Sequence, residues 1–426
     1  MQTKLIDLFK NKIILIQGAD LKMSGVYDLL IVGGGPAGLS SAIYGSRSKL
    51  KTLVLESKSK MGGQVADYHE MENYPGVVET TAPELVESFE EHAKKFGTEF
   101  AKGEVQELEL DGFIKTVKTK KGEEYQAKSI VLATGAEPRK LGCEGEAEFK
   151  GKGVSYCATC DADFFEDLHV VVVGNGNSAI EEAIYLTKFA AKVTIIVIHE
   201  EGKMDAEKLF QERAYANEKI EFVWNSTLKE VKGEGIVETA VLKNVKTGET
   251  TELGCDGIFI FIGRVPSTDF LEDTNVQLTE GGYIKADEDM KTTVPGVYAA
   301  GDVRDKVVRQ VVTAAGDGAT AAVMAQSYLE AEEHWRDNVL KTDKQVVVAF
   351  WNPTQDESLN TLQDIEELGI ETDENKKLVK IDTYRNRLIT NRYNITKVPT
   401  VLLIESGEEV ERVENPTEEE LAGLLK

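Results

Sequence analysis

Two cysteines carry the most evident chemistry of this sequence, Cys157 and Cys160 in the run Tyr156-Cys157-Ala158-Thr159-Cys160-Asp161. The C-x-x-C spacing closes a small, readily exchanged disulfide ring. In the reduced pair, one thiolate is stabilised by its partner's S–H and by backbone N–H groups. The same spacing is half of a structural zinc site, but such a site needs four ligands. Cys143 and Cys255 stand alone, and His69, His92, His169, His199 and His334 show no ligand spacing. No metal is expected, and redox exchange is the chemistry this pair supports.

The elements that must serve it are legible on both sides. Tyr27–Val32 is a continuous apolar run, as in a strand buried on both faces of a parallel sheet. It enters Gly33-Gly34-Gly35-Pro36-Ala37-Gly38, a G-x-G-x-x-G, then a predicted helix Leu39–Arg47 and a strand Lys51–Leu55 ending in Glu56. Gly33, Gly35 and Gly38, with Pro36 and Ala37 between them, permit a tight turn and close approach of the backbone to a pyrophosphate at the helix N-terminus. An acid about 20 residues on accepts hydrogen bonds from ribose hydroxyls. A second fingerprint follows the strand His169–Val173: Gly174, Gly176, Asn177, Ser178 and Ala179 in G-x-G-x-x-A form. Its helix is predicted over Ala179–Phe189 and its second strand, Lys192–Ile198, runs into His199-Glu200-Glu201. Two such units around one C-x-x-C suggest a flavin in one and a nicotinamide in the other.

The rest of the chain bounds the class. At 426 residues with 41% hydrophobic and 29% charged content it is long enough for two to four packed domains. A net charge of −25 argues against nucleic acid or an anionic membrane as partner. No run approaches the ~20 apolar residues of a spanning helix, and four cysteines in so long a chain suit a reducing cytoplasm. Residues 1–24 form an extension without a secretory pattern. Loops at Met61-Gly62-Gly63-Gln64 and Glu72-Asn73-Tyr74-Pro75-Gly76 would let backbone approach a flat ring, though ordinary turns explain them equally well. The strand ending in Ala133 continues into Thr134-Gly135, and Tyr298-Ala299-Ala300-Gly301-Asp302 is another strand end with glycine and acid. Asp302 could bond a cofactor hydroxyl, cap the following helix, or do both. Thr313–Glu330 is Ala/Gly-rich and helical, and charged residues 331–344 read as a helical linker. From Gln345 the order β-α-β-α-β-β-α marks a further small α/β domain.

From Tyr27 to Leu329 these motifs resemble the bacterial-type, low-molecular-mass thioredoxin reductases. The resemblance rests on the first fingerprint, Met61–Gln64, Asn73-Tyr74-Pro75-Gly76, Tyr156–Asp161, Gly174–Ala179, Ala300-Gly301-Asp302-Val303 and Arg309-Gln310. It implies an α/β protein with an FAD-binding domain in two parts, 25–139 and 264–330. A nicotinamide domain, 140–263, is inserted between them and carries the redox pair. FAD would be held by Gly33, Gly35, Pro36, Ala37, Gly38, Glu56, Gly63, Gln64, Asn73, Ala133, Thr134, Gly135, Gly301, Asp302, Arg309 and Gln310. The resemblance also implies a homodimer and a hydride passed through flavin to the disulfide. In that mechanism Cys160 faces the flavin, Cys157 attacks a thioredoxin disulfide, and Asp161 moves a proton. Disulfide and nicotinamide need the same region of the flavin, so the inserted domain must rotate, with hinges expected at Ala136–Gly142 and Gly263–Pro266.

Two departures stand out. Where the family's usual members carry arginines that grip the 2′-phosphate of NADPH, this sequence reads His199-Glu200-Glu201-Gly202-Lys203-Met204-Asp205. A carboxylate such as Glu200 repels that phosphate and accepts from a free ribose diol, so NADH is favoured over NADPH. The alternative is a flavin disulfide reductase fed by ferredoxin or another non-nicotinamide donor, or one reducing a peroxiredoxin or glutaredoxin-like partner. The second departure is the tail, 345–426, which resembles thioredoxin, with a strand at Val346–Trp351 and a turn at Val398-Pro399-Thr400 where a cis proline is expected. The stretch aligned with thioredoxin's C-x-x-C is Gln355-Asp356-Glu357-Ser358, and no cysteine follows Cys255. This domain cannot exchange disulfides itself.

Overall fold

The computed structural model describes residues 25–424 apart from 68, 69, 72, 79, 371 and 372. The extension 1–24, His69, Glu72 and the last residue of the predicted closing helix, Leu425, lie outside the described residues. The chain forms three α/β units. Tyr27–Val32 is the central strand of the first, paired in parallel with Thr52–Glu56 and with Glu124–Leu132 in a seven-stranded sheet. Leu30 and Val32 enter one core while Leu29 and Ile31 enter the other. That alternation is why the run is apolar throughout: both faces of the strand are covered.

The first helix begins at Pro36, earlier than its periodicity suggests, because proline brings a helical φ and has no N–H to leave unpaired. It packs on the long helix Val311–Trp335, which returns from the far end of the sequence. Gly318 is required there: a Cβ on it would stand 2.0 Å from the Ala37 carbonyl oxygen. Ser40 and Ser41 donate across the contact to the carbonyls of Ala315 and Gly318 at 2.7 and 2.9 Å.

The inserted unit is a five-stranded parallel sheet in the order Val154–Ser155, Gly257–Ile260, His169–Val173, Lys192–Ile196, Ile220–Val223. A three-stranded antiparallel sheet, Ser226–Lys232, Thr239–Asn244 and Thr250–Gly254, is attached to it. The two chain crossings into this unit run side by side. Ala136–Pro138 pairs antiparallel with Arg264–Pro266, and Arg139 N–H donates to the Gly263 carbonyl at 2.9 Å.

In the third unit the sheet order is Lys376–Asp382, Gln345–Trp351, Thr400–Glu405, Glu408–Glu414, and the Val398–Pro399 peptide is cis. The stretch read as a linker is built into the fold instead. The long helix crosses the expected boundary at 330, continues to Trp335 and ends in a π turn, Arg336–Leu340. Trp335 and Val339 sit in the third unit's core with Val346, Val348 and Phe350. Three charges of that stretch are partnered across the fold. Glu332, 3% exposed, meets Arg392; Glu333 meets Lys128 at 2.5 Å; Arg336 lies 4.7 Å over the Phe113 ring. The third unit is thereby fastened to the first. No helix among the described residues is long and apolar enough to cross a membrane.

Candidate functional site

A cavity of about 720 Å³ opens where the first fingerprint, the end of the sheet and the start of the long helix converge. Gly33, Gly35, Pro36, Ala37, Glu56, Gly63, Gln64, Asn73, Ala133, Thr134, Gly135, Gly301, Asp302, Arg309 and Gln310 all line it, with Cys157 and Cys160. Gly38 stands behind, where a Cβ would come 1.9 Å from the Gly33 carbonyl oxygen. Gly33 has φ +108°, and a Cβ there would strike the Ala133 carbonyl. Beyond its chain neighbours and its own helix, no protein atom lies within 4 Å of where a Cβ of Gly35 would stand. The first and third glycines are thus needed for packing, and the middle one keeps space open over the helix N-terminus.

FAD fits this arrangement on two further observations. Glu56 is held at the strand end by N–H donors from Gly34 at 2.7 Å and Lys58 at 2.8 Å. Asp302 turns one buried carboxylate oxygen, Oδ1, towards no protein partner. Burial raises its carboxyl above the ordinary carboxylate value, against the pull of Arg264 and Arg309. A buried acceptor without a partner on a cavity wall is a place for a ligand hydroxyl.

Cys157 and Cys160 are joined, with Cα atoms 5.3 Å apart. Their turn is held from within its own unit: Ser155 Oγ accepts from Cys157 N–H at 3.1 Å and donates to Asp161. Tyr156 donates at 2.7 Å to the buried Glu146, whose carboxylate also accepts from Leu141 and Gly142 in the crossing. From the other side, Gln310 Nε2 donates to Thr159 Oγ1 at 3.1 Å, and Asn73 donates to Gln310 at 3.3 Å.

The second fingerprint lines no part of this cavity. Gly174, φ +136°, packs so that a Cβ would meet the Phe261 carbonyl at 2.3 Å, while beyond its chain neighbours and its own helix no protein atom lies within 4 Å of a Cβ on Gly176. The division of labour of the first turn is repeated, with Ala179 fully buried in the third position. Asn177 is tied to Glu207 by two hydrogen bonds, and Ser178 is exposed. Glu200 is exposed and paired with Lys246 at 3.1 Å, which lowers its carboxyl below the usual value. Asp205, exposed, bonds Asn175 and His199, both at 3.2 Å.

Several residues of the site carry no sequence motif. Arg264, in the second crossing, approaches Gln64 at 3.5 Å and Asp302 at 4.0 Å. Asp317 holds the Gly301 N–H, Arg304 and Lys306; a lone acid in an Ala/Gly-rich helix was the available signal. Glu182, on the helix of the second fingerprint, is pushed up to about 7 by burial, with Glu181 adding and Arg264 opposing. Burial also pushes the Cys143 thiol to about 11 and Cys255 to about 12, which leaves both inert beside the redox pair. No cluster of potential metal ligands occurs among the described residues.

Comparison with known proteins covers two regions. Residues 27–318 match the pyridine nucleotide-disulphide oxidoreductase family, and residues 326–426 match the thioredoxin family. The chain is 54% identical over 316 residues to a thioredoxin reductase of Peptoclostridium acidaminophilum, covering 72% of this chain and 99% of that one. It is 46% identical over 306 residues to one of Bacillus subtilis, covering 72% and 95%. Among solved structures, a Streptococcus pyogenes thioredoxin reductase matches at 43% identity and TM-score 0.67, covering 72% of this chain and 99% of that one. One from Lactococcus lactis, described as in the FR conformation, matches at 44% identity but TM-score 0.53, covering 71% and 99%.

Proposed function

The chain belongs to the thioredoxin reductases, FAD-dependent members of the pyridine nucleotide-disulphide oxidoreductases, and on that premise we propose that it carries electrons from NADH, ahead of NADPH, to the disulfide of a thioredoxin. The observation that carries this reading is the joining of Cys157–Cys160 at the wall of the cavity built by the first fingerprint. FAD bound there supplies a two-electron acceptor for hydride and a donor to the disulfide.

The protein's own residues do the rest. Gly35 and the N-terminus of the first helix receive the pyrophosphate, Glu56 the ribose hydroxyls, and Asp302 a hydroxyl at its unpaired oxygen. The other cavity-lining residues, with Gly38 behind them, shape the walls. Cys160 would be the sulfur towards the flavin, Cys157 would attack the incoming protein disulfide, and Asp161 would move a proton between thiol and solvent. Gly174, Gly176, Asn177, Ser178 and Ala179 receive the nicotinamide dinucleotide, with Glu200 at its ribose diol. The acidic Glu200-Glu201 pair and the absence of arginine from residues 199–207 support NADH. Lys203 and Lys246 beside Glu200 offset part of that charge without supplying a planar fork.

Disulfide and nicotinamide site ride on one unit, yet only the disulfide reaches the cavity. This supports rotation of residues 140–263 about the paired crossings. The two solved relatives are almost equally similar in sequence and differ in TM-score, as a rigid turn of one unit would produce. We further read the enzyme as a cytoplasmic homodimer. An anaerobic titration of the yellow protein tests the donor: bleaching by NADH at far lower concentration than NADPH is expected, and inertness to both with reduction by ferredoxin would overturn it. Cys157→Ser and Cys160→Ser should each abolish thioredoxin reduction and retain FAD.

A further inference from the structure

The turn between the two sulfurs contains a hydroxyl that the relay described above leaves unused. Thr159 Oγ1 lies 3.5 Å from Cys157 Sγ and 3.1 Å from Gln310 Nε2. Gln310 Oε1 lies 3.3 Å from Asn73 Nδ2. The three contacts form one directed chain. Asn73 donates to the Gln310 oxygen, and the Gln310 N–H donates to the Thr159 oxygen. The Thr159 O–H is then left to donate onward, and the sulfur is the acceptor beside it. Opening the disulfide by two electrons and one proton gives one thiol and one thiolate. A thiolate only accepts hydrogen bonds, so the hydroxyl must be its donor, and an oxygen that is itself accepting from an amide is a stronger donor.

We propose that Thr159 is a positioning residue that donates a hydrogen bond to the Cys157 thiolate in the reduced enzyme, aimed by Gln310 from across the junction between units. The inference rests on the proposed relay, in which Cys157 is the attacking sulfur. It adds a device to it. Thr159 belongs to the rotating unit and Gln310 to the stationary one, so the chain is complete only while the pair faces the flavin cavity. Charge on Cys157 is stabilised where electrons arrive. When the unit turns away the amide is lost, and the sulfur meets its partner as a more basic and more nucleophilic thiolate.

The test uses the full-length FAD-loaded protein reduced by dithiothreitol, which makes it independent of the nicotinamide and of thioredoxin. The pH dependence of iodoacetamide alkylation at Cys157, mapped by mass spectrometry from pH 5 to 9, reports its thiolate fraction. Cys143 and Cys255, with thiols at about 11 and about 12, stay largely protonated in that window. Thr159→Val keeps the shape and removes the donor. It should move the Cys157 midpoint up by about one pH unit, slowing alkylation below that midpoint about tenfold. Thr159→Ser should keep the wild-type profile. A Thr159→Val profile that superimposes on wild type overturns the proposal. So does an equal shift in both variants, which would assign the effect to packing alone. If reduction exposes no new thiols at Cys157 and Cys160, the disulfide relay fails and this inference with it, an outcome distinct from an unmoved profile.

Discussion

Single side chains at the junction of the first two units have measurable consequences. Asp302 keeps a buried oxygen without a protein partner on the cavity wall, so Asp302→Ala removes an acceptor only a ligand can use. The FAD dissociation constant should rise ~10–100-fold, the range of one hydrogen bond to a charged group. The melting temperature of the apoprotein should not fall, because the buried carboxylate is a cost without its partner. Flavin fluorescence titration and calorimetry read the two quantities. Glu182 is the second case. Its folded pKa of about 7 lies above the ordinary value of 4.5, so the folded state binds the proton more tightly than the unfolded one. The native protein therefore loses stability as pH climbs from about 4.5 to about 7, and the loss is complete above that. Glu182→Gln should leave the melting temperature unchanged near pH 4.5 and raise it by a few degrees at pH 8. An equal effect at both values would exclude titration of Glu182 as the cause.

The two nucleotide turns make a prediction at the scale of elements, since each separates glycines that pack from a glycine that clears space. A Cβ at Gly176 would meet no atom beyond its chain neighbours and its own helix, and its φ of −83° suits any residue. Gly176→Val should fold with wild-type stability and bound FAD, yet weaken nicotinamide binding at least tenfold, by stopped-flow flavin reduction. Gly38→Ala is the contrast: its Cβ would stand 1.9 Å from a carbonyl oxygen of the same turn, so the first helix must move. Loss of FAD together with a lowered melting temperature is expected there. The patterns were legible in the sequence because strand, turn and helix are contiguous. The partners of those turns were not. Ala133, which meets Gly33, and Phe261, which meets Gly174, are distant in sequence from the glycines they crowd.

At the scale of the whole molecule, the third unit is fastened to the first through the end of the long helix. Glu332 is 3% exposed and depends on Arg392, with buried Lys115 as its further cationic neighbour. Arg392→Met should destabilise this junction by about 3 kcal/mol, because the buried carboxylate loses its hydrogen-bonded partner. Combining it with Glu332→Leu should recover much of that loss. Limited proteolysis within residues 336–344 reads both. Truncation at Gln345 would leave Trp335 and Val339 without the strands that cover them, so removing the third unit also perturbs the end of the long helix. A cysteine-free thioredoxin-like unit fixed in this way cannot relay electrons. Its contacts with the end of the long helix and with the first unit support the FAD unit.

The sequence alone determined the redox pair, both fingerprints, the α/β class and the thioredoxin-like tail, because each is written in contiguous residues whose spacing follows backbone periodicity or ring closure. It also fixed the acidic run at Glu200–Asp205 and the missing cysteines, which are matters of residue identity. Only the tertiary structure decided which cavity the disulfide faces, since a turn carried on an inserted unit can be presented in more than one direction. It also decided that Arg264 joins that cavity, that Asp317 ties the Gly301 turn to the long helix, and that Glu332, Glu333 and Arg336 are partnered across units. Charge pairing joins residues far apart in sequence, as Glu332 and Arg392 are, so no local pattern carries it. The Cys157–Cys160 pair was a redox pair from its spacing; its joining as a disulfide, its place at the flavin cavity, and the chain of donors reaching Thr159 came from the fold.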